Sequence, residues 1–250
     1  MALKPILRDN GLASLEELVS VLLAGERGNL ADKVVEAILN QETSFFRDGT
    51  VLQQIVGAAA AMQQQAGDRR LRIWCAGCST GQEPYSLAML FAEWPEGRPM
   101  PEIVATDISA AAIDRARTGS YSQFEIQRGL PVRQMIRWFV EGGEQWSARP
   151  ELKRLVQFRR NNLVEDPPPA GRFDIILCRN VLMYFPSALR RSTLDSLASV
   201  LRPQGLLIMG AGETVIGQTE ALVPSERHRG MYRPDAAGAA ASQVALTRLP

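Results

Sequence analysis

The sequence predicts an α/β fold in which a parallel sheet carries helices on both faces. From Leu71 onward, short apolar strands alternate with helical segments. A turn of small residues from Ala76 to Gly81 follows the first strand, and Asp107 ends the second. Alternation of this kind is typical of α/β domains, and turns beyond strand ends are typical of their ligand sites.

Residues 1–65 are predicted to form an N-terminal helical domain and linker. Ser14 and Glu17 have the spacing of a capping box before an amphipathic run. Asn29 with Asp32 can start a second helix, which carries Leu30, Val34, Ile38 and Leu39 on one face.

Residues 66–235 are predicted to form the α/β domain. Its expected strands are LRIWCA, EIVATD, FDIILC and GLLIMG. Its expected helices are PYSLAMLFAEW, SAAAIDRART and SALRRSTLDSLASVL. The alternation breaks over about residues 119–161, where strand-like pieces around Gly142 and Gly143 indicate an inserted subdomain. The Ala- and Gly-rich residues 236–250 are expected to be a disordered tail.

Composition excludes several classes of protein. The 250 residues are 46% hydrophobic and 22% charged, which is ordinary for a globular chain. A net charge of +1 argues against nucleic acid as a partner. No apolar run approaches the roughly 20 residues of a membrane helix, and the N-terminus lacks a signal-peptide core. We therefore expect a cytoplasmic protein with no membrane insertion.

The cysteines allow a redox interpretation that the rest of the chain does not favour. Cys75 and Cys78 have the C-x-x-C spacing of thioredoxin-like sites, but more strands surround them than a small redox fold uses. Cys178 is the third cysteine, and three cysteines are too few for a disulfide framework. His228 is the only histidine and lies far from them in sequence, so we expect no metal site.

The turn after the first strand favours a ligand without phosphates. Glycine tolerates close backbone approach, and Asp107 follows at about the separation at which an acidic residue holds a ribose diol. The dinucleotide fingerprint G-x-G-x-x-G is missing, since the turn reads A-G-C-S-T-G. S-adenosylmethionine, which has a ribose and an aminocarboxylate, fits these features.

Other polar residues are expected at the same edge of the sheet. Asn161 and Asn162 follow LVQFRR, and the segment CRNVLMYF from Cys178 to Phe185 follows FDIILC. The carboxyl ends of parallel strands meet at one edge, so these residues should converge with Asp107. Within CRNVLMYF the candidates for chemistry are Arg179, Asn180 and Tyr184, whereas the apolar residues are expected to pack.

Five motifs together resemble the CheR-type chemoreceptor glutamate methyltransferases. They are QETSFFRD (41–48), CAGCSTGQEPYSLAM (75–89), ATDIS (105–109), GLP (129–131) and CRNVLMYF (178–185). The resemblance covers roughly Leu3 to Arg233. It implies a Rossmann-like class I methyltransferase sheet, a small N-terminal helical domain and an inserted antiparallel β subdomain.

The resemblance also implies site residues. The residues expected to line the cofactor site are Gln41, Thr43, Arg47, Gly77, Glu83, Asp107, Asn162, Leu163, Arg179 and Asn180. Gln41 stands where members commonly have Asn. Arg47 and Tyr184 are the expected catalytic residues, near the methyl group and the incoming carboxylate. After GLLIMG many members read H-S-E, whereas this chain has Ala211, Gly212 and Glu213, and we expect a structural difference rather than a catalytic one.

The implied reaction is methyl transfer from S-adenosylmethionine to glutamate carboxylates on the cytoplasmic helices of chemoreceptors, with S-adenosylhomocysteine as product. A glutamate carboxyl with a pKa near ~4.3 is ionised at neutral pH, so the attack needs no general base. A chain with one histidine can therefore perform it.

Two other functions remain open at this point. They are a methyltransferase acting on another protein or a small molecule, and a non-catalytic S-adenosylmethionine-binding regulatory module. We expect a monomer with a possible regulatory protein partner. Members commonly have further helices before the segment corresponding to Leu3 onward, so we expect a truncated N-terminus or a short helical domain.

Overall fold

The computed structural model describes residues 2–25 and 29–235, which fall into two compact units. The first unit ends at Glu42 and the second begins at Thr43. The predicted disordered tail, 236–250, lies outside the described residues. Among the described helices, none is long and apolar enough to cross a membrane.

The first unit contains three helices, α1 (Lys4–Asp9), α2 (Leu15–Ala24) and α3 (Leu30–Ile38). Leu12, Leu18 and Leu30 are its buried apolar residues. Ser14 caps α2 by accepting the Glu17 N–H at 3.2 Å, as its position predicts. The Glu17 carboxylate, however, accepts the N–H of Ala13 rather than that of Ser14.

The second unit is built on a seven-stranded sheet in the order β6-β2-β1-β7-β8-β10-β9. The strands are β1 (Arg72–Ala76), β2 (Glu102–Asp107), β6 (Val156–Arg160), β7 (Phe173–Cys178), β8 (Leu201–Met209), β9 (Leu222–Pro224) and β10 (Met231–Pro234). The first five of these strands run parallel, which confirms the predicted parallel sheet, and β10 and β9 add an antiparallel edge.

Helices cover both faces of this sheet. They are α4 (Gly49–Ala66), α5 (Gln82–Phe91), α6 (Ala110–Thr118) and α10 (Ser187–Val200). Alternate residues of β1 face opposite ways, since Ile73 and Cys75 belong to one buried cluster, whereas Trp74 and Ala76 belong to another. Because both faces are covered, the strands are apolar throughout rather than alternating, which is why the sequence reveals them so clearly.

The insertion folds as a second, antiparallel sheet. Between α6 and β6 lie β3 (Ser120–Ser122), α7 (Gln123–Gln127), α8 (Val132–Trp138), β4 (Phe139–Gly142), β5 (Gln145–Ala148) and α9 (Pro150–Lys153). The three strands pair in the order β3-β5-β4, with the predicted turn at Gly143 between β4 and β5. The insertion ends before residue 161, because β6 pairs with β2 and belongs to the main sheet.

The boundary between the units falls earlier in the chain than the one drawn from sequence. The sequence placed residues 43–65 with the N-terminal helices, because residues 1–65 as a whole were predicted to be a helical domain and linker. In the structure Leu52, Ile55 and Ala59 of α4 are buried in the same cluster as β1 and α5. A helix pattern alone does not tell which core the helix covers.

Candidate functional site

The turn between β1 and α5 is held by the end of β2. The N–H groups of Gly77 and Cys78 donate to the carbonyl oxygen of Thr106 at 2.8 and 2.9 Å. The N–H of Ser79 donates to the Asp107 carboxylate at 2.7 Å. Hydrogen bonds from the main-chain N–H groups of this turn thus connect the end of β1 to the end of β2, where the ribose site is predicted.

Asp107 itself is fixed by two backbone donors. Besides Ser79, the N–H of Ser109 donates to its other oxygen at 3.0 Å, and Ser109 caps α6 through the N–H of Ala112. The N–H groups of Ser79 and Ser109 thus fix the orientation of the Asp107 carboxylate at the end of β2. A carboxylate fixed at the end of a parallel strand suits the ribose role predicted for Asp107.

A buried guanidinium joins three segments at the same edge. The Arg179 side chain is 2% exposed and follows β7, and it donates to the Glu83 carboxylate at 2.7 Å and also to Asp48. Its Nη1 lies 3.4 Å from the carbonyl oxygen of Arg47. Glu83 is in the first turn of α5, and Asp48 immediately precedes α4. Arg179 therefore holds the 43–48 segment against the sheet edge.

Burial affects the ionisable groups of this cluster. It raises the pKa of the Glu83 carboxyl, an effect that the guanidinium groups of Arg179 and Arg47 oppose. It also raises the pKa of the thiols of Cys75, Cys78 and Cys178 well above the ordinary value. Since the thiolate is the reactive form and all three cysteines are buried, they act as packing residues rather than as a redox pair.

Backbone strain is concentrated around the Arg179 cluster. Among the described residues, those with positive φ that are not glycine are Phe46 at 51°, Asp48 at 54°, Ser79 at 49° and Asn180 at 59°. They lie in the segment before α4, the turn after β1 and the segment after β7. Such conformations cost about 1–3 kcal/mol each for most side chains and less for Asn and Asp, and they cluster at functional sites.

Glu213 was not predicted as a site residue, yet it organises the segment after β7. Its Oε2 accepts the N–H groups of Asn180 at 2.7 Å and Gly210 at 2.9 Å. Its Oε1 accepts those of Val181 and Met183, both at 3.1 Å. An acidic residue that follows Gly210 and Gly212 just after a strand was the signal available in the sequence. Asp48 was likewise missed, although it ends the QETSFFRD motif.

The predicted residues that the structure brings together are Arg47, Gly77, Glu83, Asp107, Arg179 and Asn180. Gly77 has a φ of +81°, and a Cβ there would lie 2.4 Å from Cγ2 of Val181. The segment after β7 therefore packs against Gly77 and fills the space that a Cβ at this position would occupy.

The remaining predicted residues are less closely connected. Thr43 is partly buried at the start of the second unit, and Tyr184 is exposed in a 3-10 turn, Leu182–Tyr184. Asn162 follows β6 and bonds within its own turn, donating to Glu165 at 2.9 Å. Leu163 packs on the face of the sheet that α10 covers. Gln41 belongs to the first unit. The roles of all these residues stay predictions.

The residues present fit S-adenosylmethionine. Asp107 is a fixed acceptor at a strand end, as a ribose diol requires. The Nε of Arg179 is buried and has no hydrogen-bond partner within residues 2–25 and 29–235, so a donor remains for an anionic group. Glu83 supplies a carboxylate that could face an ammonium group. An aminocarboxylate presents both an anion and an ammonium, which matches this mixed set.

The fold and these residues define a class I methyltransferase that uses S-adenosylmethionine. Residues 41–230 match the family described as CheR methyltransferase, SAM binding domain. The chain belongs to the CheR methyltransferase family. This confirms the resemblance, the fold class, the cofactor and the methyltransferase activity that the sequence motifs predicted.

Curated relatives give the same result. The chain is 35% identical over 223 residues to Chemotaxis protein methyltransferase Cher2 of Pseudomonas putida, and the aligned region covers 86% of this chain and 81% of the relative. It is 37% identical over 223 residues to Chemotaxis protein methyltransferase 1 of Vibrio cholerae, with 87% and 81% covered. For Chemotaxis protein methyltransferase 1 of Pseudomonas aeruginosa the identity is 36% over 222 residues, with 85% and 80% covered.

Proposed function

We propose that this chain methylates glutamate carboxylates on the cytoplasmic helices of chemoreceptors. The observation that carries the proposal is the Arg179 cluster, in which the QETSFFRD and CRNVLMYF motifs meet the start of α5 at the carboxyl edge of the sheet. The family match and the names of the relatives support a methyltransferase of chemotaxis. The acceptor glutamates, a monomeric state and a cytoplasmic location belong to this proposal.

The proposed cofactor site consists of the residues at that edge. Asp107 would hold the ribose, while Glu83 and Arg179 would hold the aminocarboxylate. Thr43, Arg47, Gly77, Asn162, Leu163 and Asn180 complete the proposed set in the second unit, and the cofactor contact of Gln41 stays a prediction from the family resemblance. S-adenosylmethionine, when bound, supplies a methyl group on a positively charged sulfur.

Arg47 and Tyr184 are proposed to act on the acceptor. Arg47 lies in the strained segment between Phe46 and Asp48, so its backbone has a fixed direction. Its guanidinium can orient the glutamate carboxylate through paired hydrogen bonds and help to remove its hydration. Tyr184 is exposed beside this edge, where its hydroxyl can bond the same carboxylate. Neither residue needs to move a proton, because the acceptor is already ionised at neutral pH.

The proposal is tested by the lability of the product. Purified protein is incubated with receptor-rich membranes and S-adenosylmethionine carrying a radiolabelled methyl group, and the labelled membranes are then treated with mild base. A glutamyl methyl ester releases its label as volatile methanol, whereas methylated nitrogen does not.

The matched control replaces the acceptor glutamates of the receptor by glutamine. We expect base-labile label on the wild-type receptor and none on this control. Label that resists base, or equal label on both receptors, would contradict the proposal.

A further inference from the structure

We propose that Glu213 is a positioning residue, which fixes the segment Arg179–Tyr184 in the conformation that the cofactor site requires. The inference rests on the proposed function for the role of that segment. The carboxylate accepts four backbone N–H groups, three of them from residues 180–183. Asn180 and Val181 follow Arg179 directly, so Glu213 acts on the site through the main chain.

The four bonds use both carboxylate oxygens, two on each. The Oε2 bonds, to Asn180 and Gly210, are the shorter pair at 2.7 and 2.9 Å. The Oε1 bonds to Val181 and Met183 are both 3.1 Å. A glutamine could accept on one oxygen only and would present its NH₂ group to the other two donors. The site therefore requires a carboxylate, not merely a polar side chain of this size.

The charge of Glu213 is met by main-chain donors. Within the residues that the structure describes, no Arg, Lys or His forms an ion pair with Glu213. Hydrogen bonds from N–H groups to a charged acceptor are stronger than those between neutral groups. The segment after β7 thus surrounds the anion in the manner of a backbone nest.

These bonds stabilise the left-handed backbone conformation of Asn180. Its φ of 59° is in the left-handed region, and this turn is what lets the chain leave β7 and place Arg179 against Glu83. The approach is also close, because a Cβ on Gly210 would lie 2.8 Å from Oε2 of Glu213 and 2.9 Å from the N of Asn180. Gly210 and Glu213 therefore act together, because the absence of a Cβ at position 210 leaves room for the Glu213 carboxylate beside Asn180.

Glu213 therefore has a specific role, although the sequence led us to expect a structural rather than a catalytic difference at this position. Without the carboxylate, the donors at 180, 181 and 183 lose a common acceptor, and the strained turn relaxes. Arg179 and Asn180 then lose their fixed placement, while the sheet beneath them keeps its buried core. The expected defect is in cofactor affinity and turnover rather than in folding.

The test compares Glu213→Gln with Glu220→Gln, which removes a charge from an exposed residue nearby in sequence. Calorimetry with S-adenosylhomocysteine measures affinity without any methyl acceptor. We expect Glu213→Gln to bind about tenfold or more weakly, and Glu220→Gln to bind like the wild type. Binding of Glu213→Gln within twofold of the wild type, in a folded protein, would overturn the proposal. Because no receptor is used, failure of the proposed glutamate methylation would not affect this result.

Two further measurements separate positioning from simple loss of stability. Kinetics with the methyl donor should show a higher KM and a lower kcat in Glu213→Gln at temperatures where circular dichroism shows it fully folded. Hydrogen exchange in the wild type should show protection of the amides of Asn180, Val181 and Met183. Unprotected amides at these positions would overturn the proposal even if the Gln variant fails to fold.

Discussion

The two ends of β7 carry opposite kinds of buried ion cluster. At the start of the strand, the Asp174 carboxylate, whose side chain is 6% exposed, lies between Arg69 and Arg202 at 2.7 and 3.5 Å. Just beyond its end, the Arg179 guanidinium lies between the carboxylates of Asp48 and Glu83. One strand thus places a buried anion among cations at one edge and a buried cation among anions at the other.

The surroundings of these clusters differ more than their charges. The arginines around Asp174 are 40% and 37% exposed, and none of the residues concerned has a positive φ. Around Arg179, Asp48 and Asn180 have left-handed backbone, and the Nε of Arg179 has no hydrogen-bond partner within the described ranges. Within the described ranges the Nε of Arg202 in the first cluster likewise has no hydrogen-bond partner, so the clusters differ in the left-handed backbone around Arg179 and in its 2% side-chain exposure. This contrast marks the carboxyl edge as the functional one.

The largest effect is expected from Arg179→Met. Removal of the guanidinium leaves Glu83, whose side chain is 15% exposed, without its ion-pair partner. Breaking a buried pair from one side costs about 3–5 kcal/mol of unfolding free energy. Cofactor binding should also be lost, as measured by calorimetry beside urea unfolding. Arg133→Met, at an exposed position, is the control. Unchanged stability and affinity would remove the contrast between the two ends.

Asp174→Asn should lower stability without affecting cofactor binding. Arg69 and Arg202 are partly exposed and can be hydrated, so the loss should be about 1–3 kcal/mol. Urea unfolding measures the stability, and titration with S-adenosylhomocysteine measures the affinity. A large loss of affinity in folded protein would mean that the amino end is part of the site.

Arg47→Ala should separate binding from turnover. Loss of acceptor alignment is expected to lower kcat by about 100-fold, with cofactor affinity within a few-fold of the wild type. Tyr184→Phe removes one hydroxyl and should lower kcat by about tenfold. Arg70→Ala, at an exposed position near the other edge, should have normal kcat. Full activity of Arg47→Ala would remove its proposed role.

The smallest effect is a pH dependence due to Glu83. Burial raises the pKa of its carboxyl in the folded state above the ordinary 4.5. Between 4.5 and the raised pKa, the folded protein holds more protons than the unfolded chain, so this group lowers stability as pH rises. Glu83→Gln has no titrating carboxyl at this position and therefore lacks this contribution to the pH dependence of stability. The stability of the wild type minus that of Glu83→Gln should therefore fall as the pH of urea titrations rises from 4.5. A difference that rises over this range would contradict the direction of the shift.

The sequence predicts the sheet well because its central strands are buried on both faces. Such strands are continuous apolar runs, and β1, β2 and β7 lie within a residue of the predicted positions. Strands β9 and β10 were missed because they are short edge strands, three and four residues long, with no apolar run of their own. The helix α4 was assigned to the wrong neighbours because periodicity identifies a buried face but not its partner.

The site was predictable in part for a similar reason. Asp107 and Arg179 follow apolar strands directly, so topology alone places them at one edge. Asp48 and Glu213 act through contacts with residues far away in sequence, and nothing local indicates those contacts. The positive φ of Phe46 is set by tertiary contacts, which override residue preference, whereas asparagine at 180 is a residue that adopts this conformation readily.

The central claim, that the carboxyl edge holds the cofactor, is tested most directly by calorimetric titration of S-adenosylhomocysteine into Asp107→Ala and Asp114→Ala. Both substitutions remove an aspartate, but Asp114 is an exposed residue of α6 paired with Arg117 at 3.1 Å. We predict that Asp107→Ala binds about tenfold or more weakly than the wild type, while Asp114→Ala binds normally. Equal affinity of the two variants, both folded, would contradict the account.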